Sequence, residues 1–435
     1  MKALRLAALL LLAALPARAA TDIQTVTSPG GTTAWLVEDH GIPFTALELR
    51  FAGGTSLDPP GKRGVVNLMT ALIEEGTGDL DSQGFAKARD DLAASFEFDA
   101  DSDSVTVSAR FLTENRDAAV DLLRQAITAP RFDPDAIDRV KGQVLANLRA
   151  SDMDPGDLAG RAFDAKAFGD HPYGSDGSGT TDSVTALTRD DILAAHKGAL
   201  ARDRVLIAAA GDITPEELGK LVDSLLSGLP ETGLPQPGEA SIGLTGGITV
   251  QDFPGPQSVI LFGAPGIAFD DPDYFAASVL NEIVGGGRFS ARLMSEVREK
   301  RGLTYGIGTA LAGYDHADII AGQLSSDNTK AAQAIQVIRD QWAEIAAKGV
   351  TPEELETAKT YMTGAYPLRF DGNGRIASIL VGMQSLGLTP DYPKTRNDRI
   401  NAVTLDDVNR VAKRLMNPDT LTFVVVGQPD NLPNP

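Results

Sequence analysis

The sequence predicts an α+β fold made of two homologous domains, each an antiparallel-rich sheet packed with helices. The main observation is an internal repeat: residues 184–192 (VTALTRDDI) and 400–408 (INAVTLDDV) match at an offset of 216 positions. Each segment is followed by an apolar run that ends in a glycine, Gly211 or Gly427, at the same offset. A nearly constant offset favours a duplicated domain over two unrelated segments that share cap residues.

Helix starts and strand patterns give two further observations. Asp133-Pro134 opens a predicted helix that contains Lys141, and Thr351-Pro352 opens one that contains Lys359, at an offset of 218. In the first half, alternation of apolar residues predicts strands, and wider apolar spacing predicts helices. The predicted strands cover 46–51 and 104–110, and the predicted helices cover 62–76, 83–95, 114–128 and 133–150. Short strands mixed with segregated helices are typical of α+β domains.

The N-terminus has the pattern of a secretory signal peptide, expected at residues 1–20. Lys2 and Arg5 precede an apolar run from Leu6 to Leu15, and Ala17-Arg18-Ala19 is a small-x-small cleavage pattern. Cleavage is expected near Ala19/Ala20. A run of this length is too short to span a bilayer as a helix, for which about 20 residues are needed. We therefore expect a periplasmic or secreted protein without a membrane span.

The Pro- and Gly-rich stretch at 229–246 interrupts every periodicity and predicts a linker. The expected division is therefore an N-terminal domain at 21–228 and a C-terminal domain at 247–435.

Composition excludes several classes of function. The 59 acidic residues against 39 basic residues leave a formal charge of −20, which argues against a nucleic-acid partner. The chain has no cysteine, so disulfides, thiolate metal sites and a cysteine nucleophile are excluded. The hydrophobic fraction of 43% is enough for folded cores.

The segment 64–77 (GVVNLMTALIEEGT) predicts a helix closed by Gly76. Asn67, Thr70 and Ala71 share one face of it, at positions i, i+3 and i+4. This segment resembles the active-site helix of the pitrilysin, insulinase and processing-peptidase family of inverted-motif zinc metallopeptidases. That family has His, Glu and His at these three positions, where the two His bind zinc and the Glu activates water.

The same resemblance places the third zinc ligand, a Glu in the family, at Asn147. All three ligands and the base are then replaced, and amide, hydroxyl and methyl groups are poor substitutes. The four histidines, at 40, 171, 196 and 316, lack ligand spacing and are expected to be surface or loop residues. We expect a degenerate active site and no metal or other cofactor in this chain. The alternative is an ordinary buried helix that never formed a site.

The second half contains the segment 285–305 (GGGRFSARLMSEVREKRGLTY), which resembles the family's C-terminal-domain signature. The resemblance implies that Arg298 and Tyr305 face the zinc across a cleft and hold substrate or stabilise the transition state. A helix ending at Arg298 and a strand starting at Tyr305 would let both side chains converge. The alternative is a surface ion pair for Arg298 and a core position for Tyr305. Gly285, Gly286 and Gly287 predict a flexible turn; a phosphate-binding loop is disfavoured because no Gly-Lys-Ser/Thr follows.

The resemblance implies one half of a clamshell around a peptide. We expect a non-catalytic subunit of an exported two-chain zinc peptidase. Zinc would then be held by a heterodimeric partner with an intact His-x-x-Glu-His motif, and peptides would be the substrates. The alternative is a structural or peptide-binding protein of the same fold without a role in catalysis. No nucleophile–base pair supports a self-sufficient enzyme.

Overall fold

The computed structural model describes residues 22–432, so the expected signal peptide lies outside the described residues. Thirteen strands are present in this range. They are β1 Gln24–Thr27, β2 Thr33–Glu38, β3 Phe44–Ala52, β4 Gly76–Thr77, β5 Leu80–Asp81, β6 Ser95–Ala100, β7 Ser104–Leu112, β8 Val205–Gly211, β9 Gly247–Asp252, β10 Gln257–Pro265, β11 Ile307–Tyr314, β12 Ala317–Asp327 and β13 Thr422–Gly427.

The strands form two large sheets with the same topology. The first has the order β1-β2-β8-β3-β7-β6 and the second has the order β9-β13-β10-β12-β11. Apart from the additional β1, each strand of one sheet has an equivalent in the other. In both, one pair is parallel (β2 with β8, β9 with β13) and the rest are antiparallel. The predicted duplicated α+β fold is therefore confirmed.

Helices cover the sheets on both faces. They are α1 Val65–Ala71, α2 Ser82–Asp91, α3 Arg116–Thr128, α4 Pro134–Ser151, α5 Pro155–Phe168, α6 Thr181–Ala186, α7 Arg189–Ala199, α8 Pro215–Leu226, α9 Tyr274–Gly285, α10 Ala331–Lys348, α11 Pro352–Ala365, α12 Asn373–Ser385, α13 Tyr392–Ala402 and α14 Leu405–Leu415. A π-helical turn, Met294–Glu299, follows α9. Within residues 22–432, every helix falls short of the length and apolarity needed to cross a bilayer.

Each half contributes one helix to the sheet of the other half. Helix α5 packs on β10 and β13 of the second sheet, and α12 packs on β3 and β8 of the first. The ring of Phe163 lies against Gly263, where an added Cβ would come within 2.7 Å of the ring. Gln384 Nε2 donates to the Ile207 carbonyl at 2.9 Å. The two helices start 218 residues apart, so the duplication extends to the contact between the halves.

The repeat noticed in the sequence corresponds to equivalent hydrogen bonds. Thr188 and Thr404 each form a capping box with the Asp three residues later. Lys141 Nζ donates to the Thr185 carbonyl at 3.0 Å, and Lys359 Nζ donates to the Asn401 carbonyl, 216 residues later, at 2.9 Å. In each half, the lysine thus links the helix that carries it, α4 or α11, to the residues that precede the capped helix, α7 or α14.

Two predicted helices are shorter than expected. The helix predicted at 62–76 covers only Val65–Ala71, and the helix predicted at 83–95 ends at Asp91. Gly76 does not close a helix: it begins β4, and its carbonyl accepts a 3.1 Å bond from the Arg131 amide. Hydrogen bonding between Gly76 and Arg131, which is distant in the chain, therefore replaces the end of the predicted helix.

Residues 229–246 contain no helix or strand, yet the structure holds them against both halves. The Ala240 amide donates to the His316 carbonyl at 2.9 Å, and the Gly243 amide donates to the Ala167 carbonyl at 2.7 Å. Leu244 is buried. The C-terminal part of this segment is therefore anchored, whereas residues 235–236 and 238–239 are exposed.

Candidate functional site

The Asp58 carboxylate accepts hydrogen bonds at the start of helix α1. Asp58 accepts hydrogen bonds from the amides of Gly64 (2.7 Å) and Val66 (2.9 Å), which satisfies two main-chain donors at the helix start. Gly64 has a φ of 93°, which favours glycine. The Arg63 guanidinium lies 3.3 Å from the Asp58 carboxylate. Burial raises the Asp58 pKa, and these hydrogen bonds and the arginine oppose that rise.

The face of α1 that would carry a zinc site in the resembling family holds no ligand. Thr70 is buried, and its hydroxyl donates to the Val66 carbonyl of the same helix at 2.9 Å. Asn67 is half-buried, and Ala71 is exposed at the last position of the helix. A threonine hydroxyl bonded to its own helix is not a general base, and a methyl group cannot bind a metal.

The third position, Asn147, is exposed on α4. Within residues 22–432, no three His, Cys, Asp or Glu side chains are grouped so that they could hold a metal ion. The residues present at the four positions therefore do not fit zinc, and no chemical step is assigned to a metal in this chain.

The sequence analysis did not single out Glu75, a partly buried carboxylate that lies shortly after α1. Arg139 of α4 donates to Glu75 Oε1 at 3.0 Å, and Ser82 donates to its Oε2 at 2.6 Å. The hydrogen bond from Arg139 is the main cause that lowers the Glu75 pKa. Glu75 is thus fixed as an ionised partner of α4 and does not act as a base.

The expectation that all four histidines are surface or loop residues is wrong for His196. It lies on α7, is 6% exposed, and its Nε2 is 2.9 Å from the Ile127 carbonyl. Burial lowers its pKa. Because the residue sits on the buried face of an amphipathic helix, helical periodicity could have placed it in the core.

Arg298 lies in the π-helical turn that follows α9, and its guanidinium is 4.6 Å from the centre of the Phe289 ring. The Phe289 side chain is itself 61% exposed. Within residues 22–432, the Arg298 side chain forms no ion pair with a carboxylate, and its recorded interaction is the one with the Phe289 ring. The expected convergence of the two side chains on a substrate therefore stays a prediction.

Tyr305 is 87% exposed, so it is not a core residue. It precedes β11 by two residues instead of beginning the strand. The turn that leads to it passes through Gly302, which has a φ of 60° and bonds to the Arg298 carbonyl at 2.8 Å. Tyr305 therefore projects from a tight turn next to an edge strand.

Tyr305 lines the rim of a cleft of about 1120 Å³ between α5 and the second sheet. The floor consists of outward-facing residues of β10, β11 and β12, and small residues such as Gly308 and Ala310 keep it open. One wall is α5, which contributes its first residues and, in its second half, Asp164, whose pKa burial raises to about 6. Gly285, Gly286 and Gly287 form part of the opposite rim.

The three glycines lie at the end of a helix. Gly285 is the last residue of α9, and an added Cβ there would come within 2.5 Å of Thr309 Oγ1. Gly287 has a φ of 84°. The glycines therefore allow α9 to pack closely on β11 and the chain to turn. A phosphate-binding loop would need a helix start at this point.

Comparisons with known proteins agree with this geometry. Residues 34–181 match the family described as "Insulinase (Peptidase family M16)", and residues 186–362 match the "Peptidase M16 inactive domain". The chain belongs to peptidase family M16.

Similar proteins come from several organisms. The chain is 26% identical over 391 residues to the "Non-peptidase homolog YmxG" of Helicobacter pylori, which covers 89% of this chain and 90% of that protein. A crystal structure of a peptidase M16 inactive domain from Pseudomonas fluorescens has a TM-score of 0.88 at 29% identity, covering 95% and 99% of the two chains. A chain of Complex III2 from Candida albicans has the same fold, with a TM-score of 0.77 at 17% identity and coverage of 95% and 97%.

The family assignment bears on the residues at positions 67, 70 and 71. The chain is an inactive member of this family, and the assignment of Asn67, Thr70 and Ala71 to its zinc-ligand and base positions stays a prediction from the resemblance of residues 64–77. The cleft beside Tyr305 offers room for a ligand.

Proposed function

We propose that this chain is the non-catalytic subunit of an exported two-chain zinc metallopeptidase. A partner subunit with an intact His-x-x-Glu-His motif supplies zinc and the general base, and this chain binds the peptide and presents Tyr305 and Arg298 in trans. The observation that carries the proposal is the 87% exposure of Tyr305 at the rim of a large cleft, in a chain that has lost its own zinc ligands.

Strand addition is the proposed mode of peptide binding. Strand β11 is the edge of the second sheet and pairs only with β12 among the described strands. The outer N–H and C=O groups of an edge strand can pair with an extended peptide. Gly308 and Ala310, on this strand and in the cleft, leave room for the side chains of the peptide.

Tyr305 and Arg298 have suitable chemistry for a peptide carbonyl. A phenol donates one directed hydrogen bond, and a guanidinium adds a permanent charge and several donors. Aimed at a carbonyl oxygen that becomes negative, such donors stabilise the transition state of hydrolysis. Stacking on the exposed Phe289 ring keeps Arg298 free of a carboxylate partner within residues 22–432.

A second function is a structural or peptide-binding role without any part in catalysis. The similarity of this chain to a protein named a non-peptidase homolog favours it. The fold shared with a chain of Complex III2 is compatible with such a role.

Reconstitution with an exported homologue that carries the intact zinc motif tests the proposal. We expect each chain alone to be inactive and the mixture to cleave peptides. Tyr305→Phe and Arg298→Ala should each reduce turnover, by about 10²-fold for a lost oxyanion donor, while leaving assembly intact. Tyr361→Phe is the matched control, since Tyr361 is also an exposed tyrosine of the second half but does not line the cleft.

The kinetic parameter that changes separates the possible roles. A fall in kcat assigns the donors to the transition state, and a rise in KM alone assigns them to substrate binding. If the double variant supports the wild-type rate, the catalytic role is wrong and the structural function is preferred. N-terminal sequencing of exported protein would test the proposed cleavage near Ala19/Ala20 and the periplasmic location.

A further inference from the structure

A second cavity lies within the C-terminal half, away from the cleft that contains Tyr305. It has a volume of about 440 Å³ and is enclosed by α9, the end of α11, α12 and α13. No residue of this cavity lines the first cleft, and the proposed function makes no use of it. Its size is within the range of sites that bind small molecules.

The walls of this second cavity are mainly aromatic. Phe269 and Tyr274 lie with their ring centres 4.5 Å apart, and Tyr366 and Phe370 lie 5.6 Å apart in an edge-to-face arrangement. Tyr392 is 6.5 Å from Phe269 and joins the two pairs. Such walls stabilise an apolar body by burial and by ring contacts.

Two guanidinium groups line the cavity, and no Asp or Glu does. Arg396 is half-buried, yet its hydrogen bonds go to the Met362 carbonyl (3.1 Å) and the Asn397 side chain (3.2 Å). Its guanidinium lies 4.3 Å from the centre of the Tyr366 ring. Arg369 is exposed at the edge of the cavity.

Neither arginine of this cavity has a carboxylate counter-ion among the described residues. Within residues 22–432, no carboxylate lies within 4.0 Å of Arg369 or Arg396, although the chain carries 59 acidic and 39 basic residues. A partly buried cation without a partner is stabilised by an anion that reaches it. The cavity thus combines apolar walls with an unbalanced positive charge.

Phenol groups supply further donors for an anion. Burial raises the pKa of Tyr366 to about 12 and also raises the pKa values of Tyr274 and Tyr392. All three therefore keep their protons at neutral pH and can donate hydrogen bonds to an oxygen anion.

We propose that this cavity binds a small organic carboxylate with an apolar body, its carboxylate facing Arg396 and Arg369 and its body lying among the aromatic rings. A free acid and the last residue of a peptide with an apolar C-terminus present the same chemistry. Several lining residues, including Gly382 and Met383, belong to α12, the helix that also packs on the first sheet. The bound acid therefore contacts α12, through which the C-terminal half packs on the sheet of the N-terminal half.

Isothermal titration of the full mature chain at neutral pH tests this site. The probes are 3-phenylpropionate, its neutral amide 3-phenylpropionamide, and an N-acetylated tripeptide ending in phenylalanine with a free carboxylate. We expect the acid to bind at least about tenfold more tightly than the amide, the ratio expected for loss of a charge-assisted hydrogen bond. Binding of the peptide as well would identify peptide C-termini as a source, and binding of the free acid alone would restrict the site to small acids.

Variants separate the cavity from nonspecific charge effects. Arg396→Gln and Arg369→Gln should each weaken binding, whereas Arg375→Gln should not, because Arg375 is exposed on α12 and does not line the cavity. Gly382 faces open space, so Gly382→Leu should fill the cavity and abolish binding while favouring the helix. Equal affinity for acid and amide, no binding of either, or unchanged binding by Gly382→Leu would overturn the proposal.

Discussion

Thr70 donates a 2.9 Å hydrogen bond from its hydroxyl to the main-chain carbonyl of Val66, one turn earlier in the same helix. In M16 peptidases with the intact motif, a glutamate at this position would activate water. Here the side chain is directed back to its own backbone and is 3% exposed. At this position the chain therefore lacks a base and in its place has a side chain that forms a stable hydrogen bond within its own helix.

We predict that the purified chain holds no stoichiometric zinc. Asn67, Ala71 and Asn147 offer an amide, a methyl and an amide at the three ligand positions, and none is a good zinc ligand. Metal analysis by mass spectrometry after dialysis against a weak chelator measures this. One tightly held zinc ion per chain would contradict the prediction.

Substitutions of Thr70 should differ sharply in their effect on stability. Thr70→Val removes only a local hydrogen bond, so the free energy of unfolding should fall by about 1 kcal/mol or less. Thr70→Glu places a carboxylate in a buried position without a cationic partner, so the loss should be about 2 kcal/mol or more. Urea denaturation of the two variants provides the comparison, and equal stabilities would show that position 70 tolerates charge.

A nick in the linker should leave the two halves associated. Glu239 is exposed in the segment between the halves, so a glutamate-specific protease should cut there early. Helices α5 and α12 each bury a face against the sheet of the opposite half, and these contacts do not depend on the linker. The nicked protein should elute as one species in gel filtration and separate only in denaturant. Separation under native conditions would show that the reciprocal helices contribute little.

Glu48 should make the protein less stable as the pH rises. It is 7% exposed on β3, and burial is the main cause that raises its pKa from an ordinary value of 4.5 to about 7. Between these two values the unfolded chain loses the proton while the folded chain keeps it. Stability from this group is therefore complete below pH 4.5 and falls until the pH passes 7.

Glu48→Gln should remove this dependence. The difference in unfolding free energy between the variant and the wild type should grow between pH 4.5 and 7 and reach at most about 3 kcal/mol in favour of the variant. Glu356→Gln is the control, since Glu356 is exposed on α11 of the second half and does not affect the Glu48 pKa. A constant difference across this pH range would show that Glu48 is ionised throughout.

The sequence by itself determined the duplication and the loss of the zinc site. Capping boxes at Thr188 and Thr404 and the glycines that end β8 and β13 are local features, so their spacing is visible in the chain. The replaced residues at 67, 70 and 71 are identities, which need no structure to read.

Only the tertiary structure decided where α1 ends, because Gly76 pairs with Arg131, 55 residues later. It also decided the exchange of α5 and α12 between the halves, the exposure of Tyr305 and the stacking of Arg298 on Phe289. The same is true of the cavity beside Arg396, whose walls come from four helices. Such features depend on contacts between segments far apart in the chain, and the local preferences of each segment do not specify which surfaces meet.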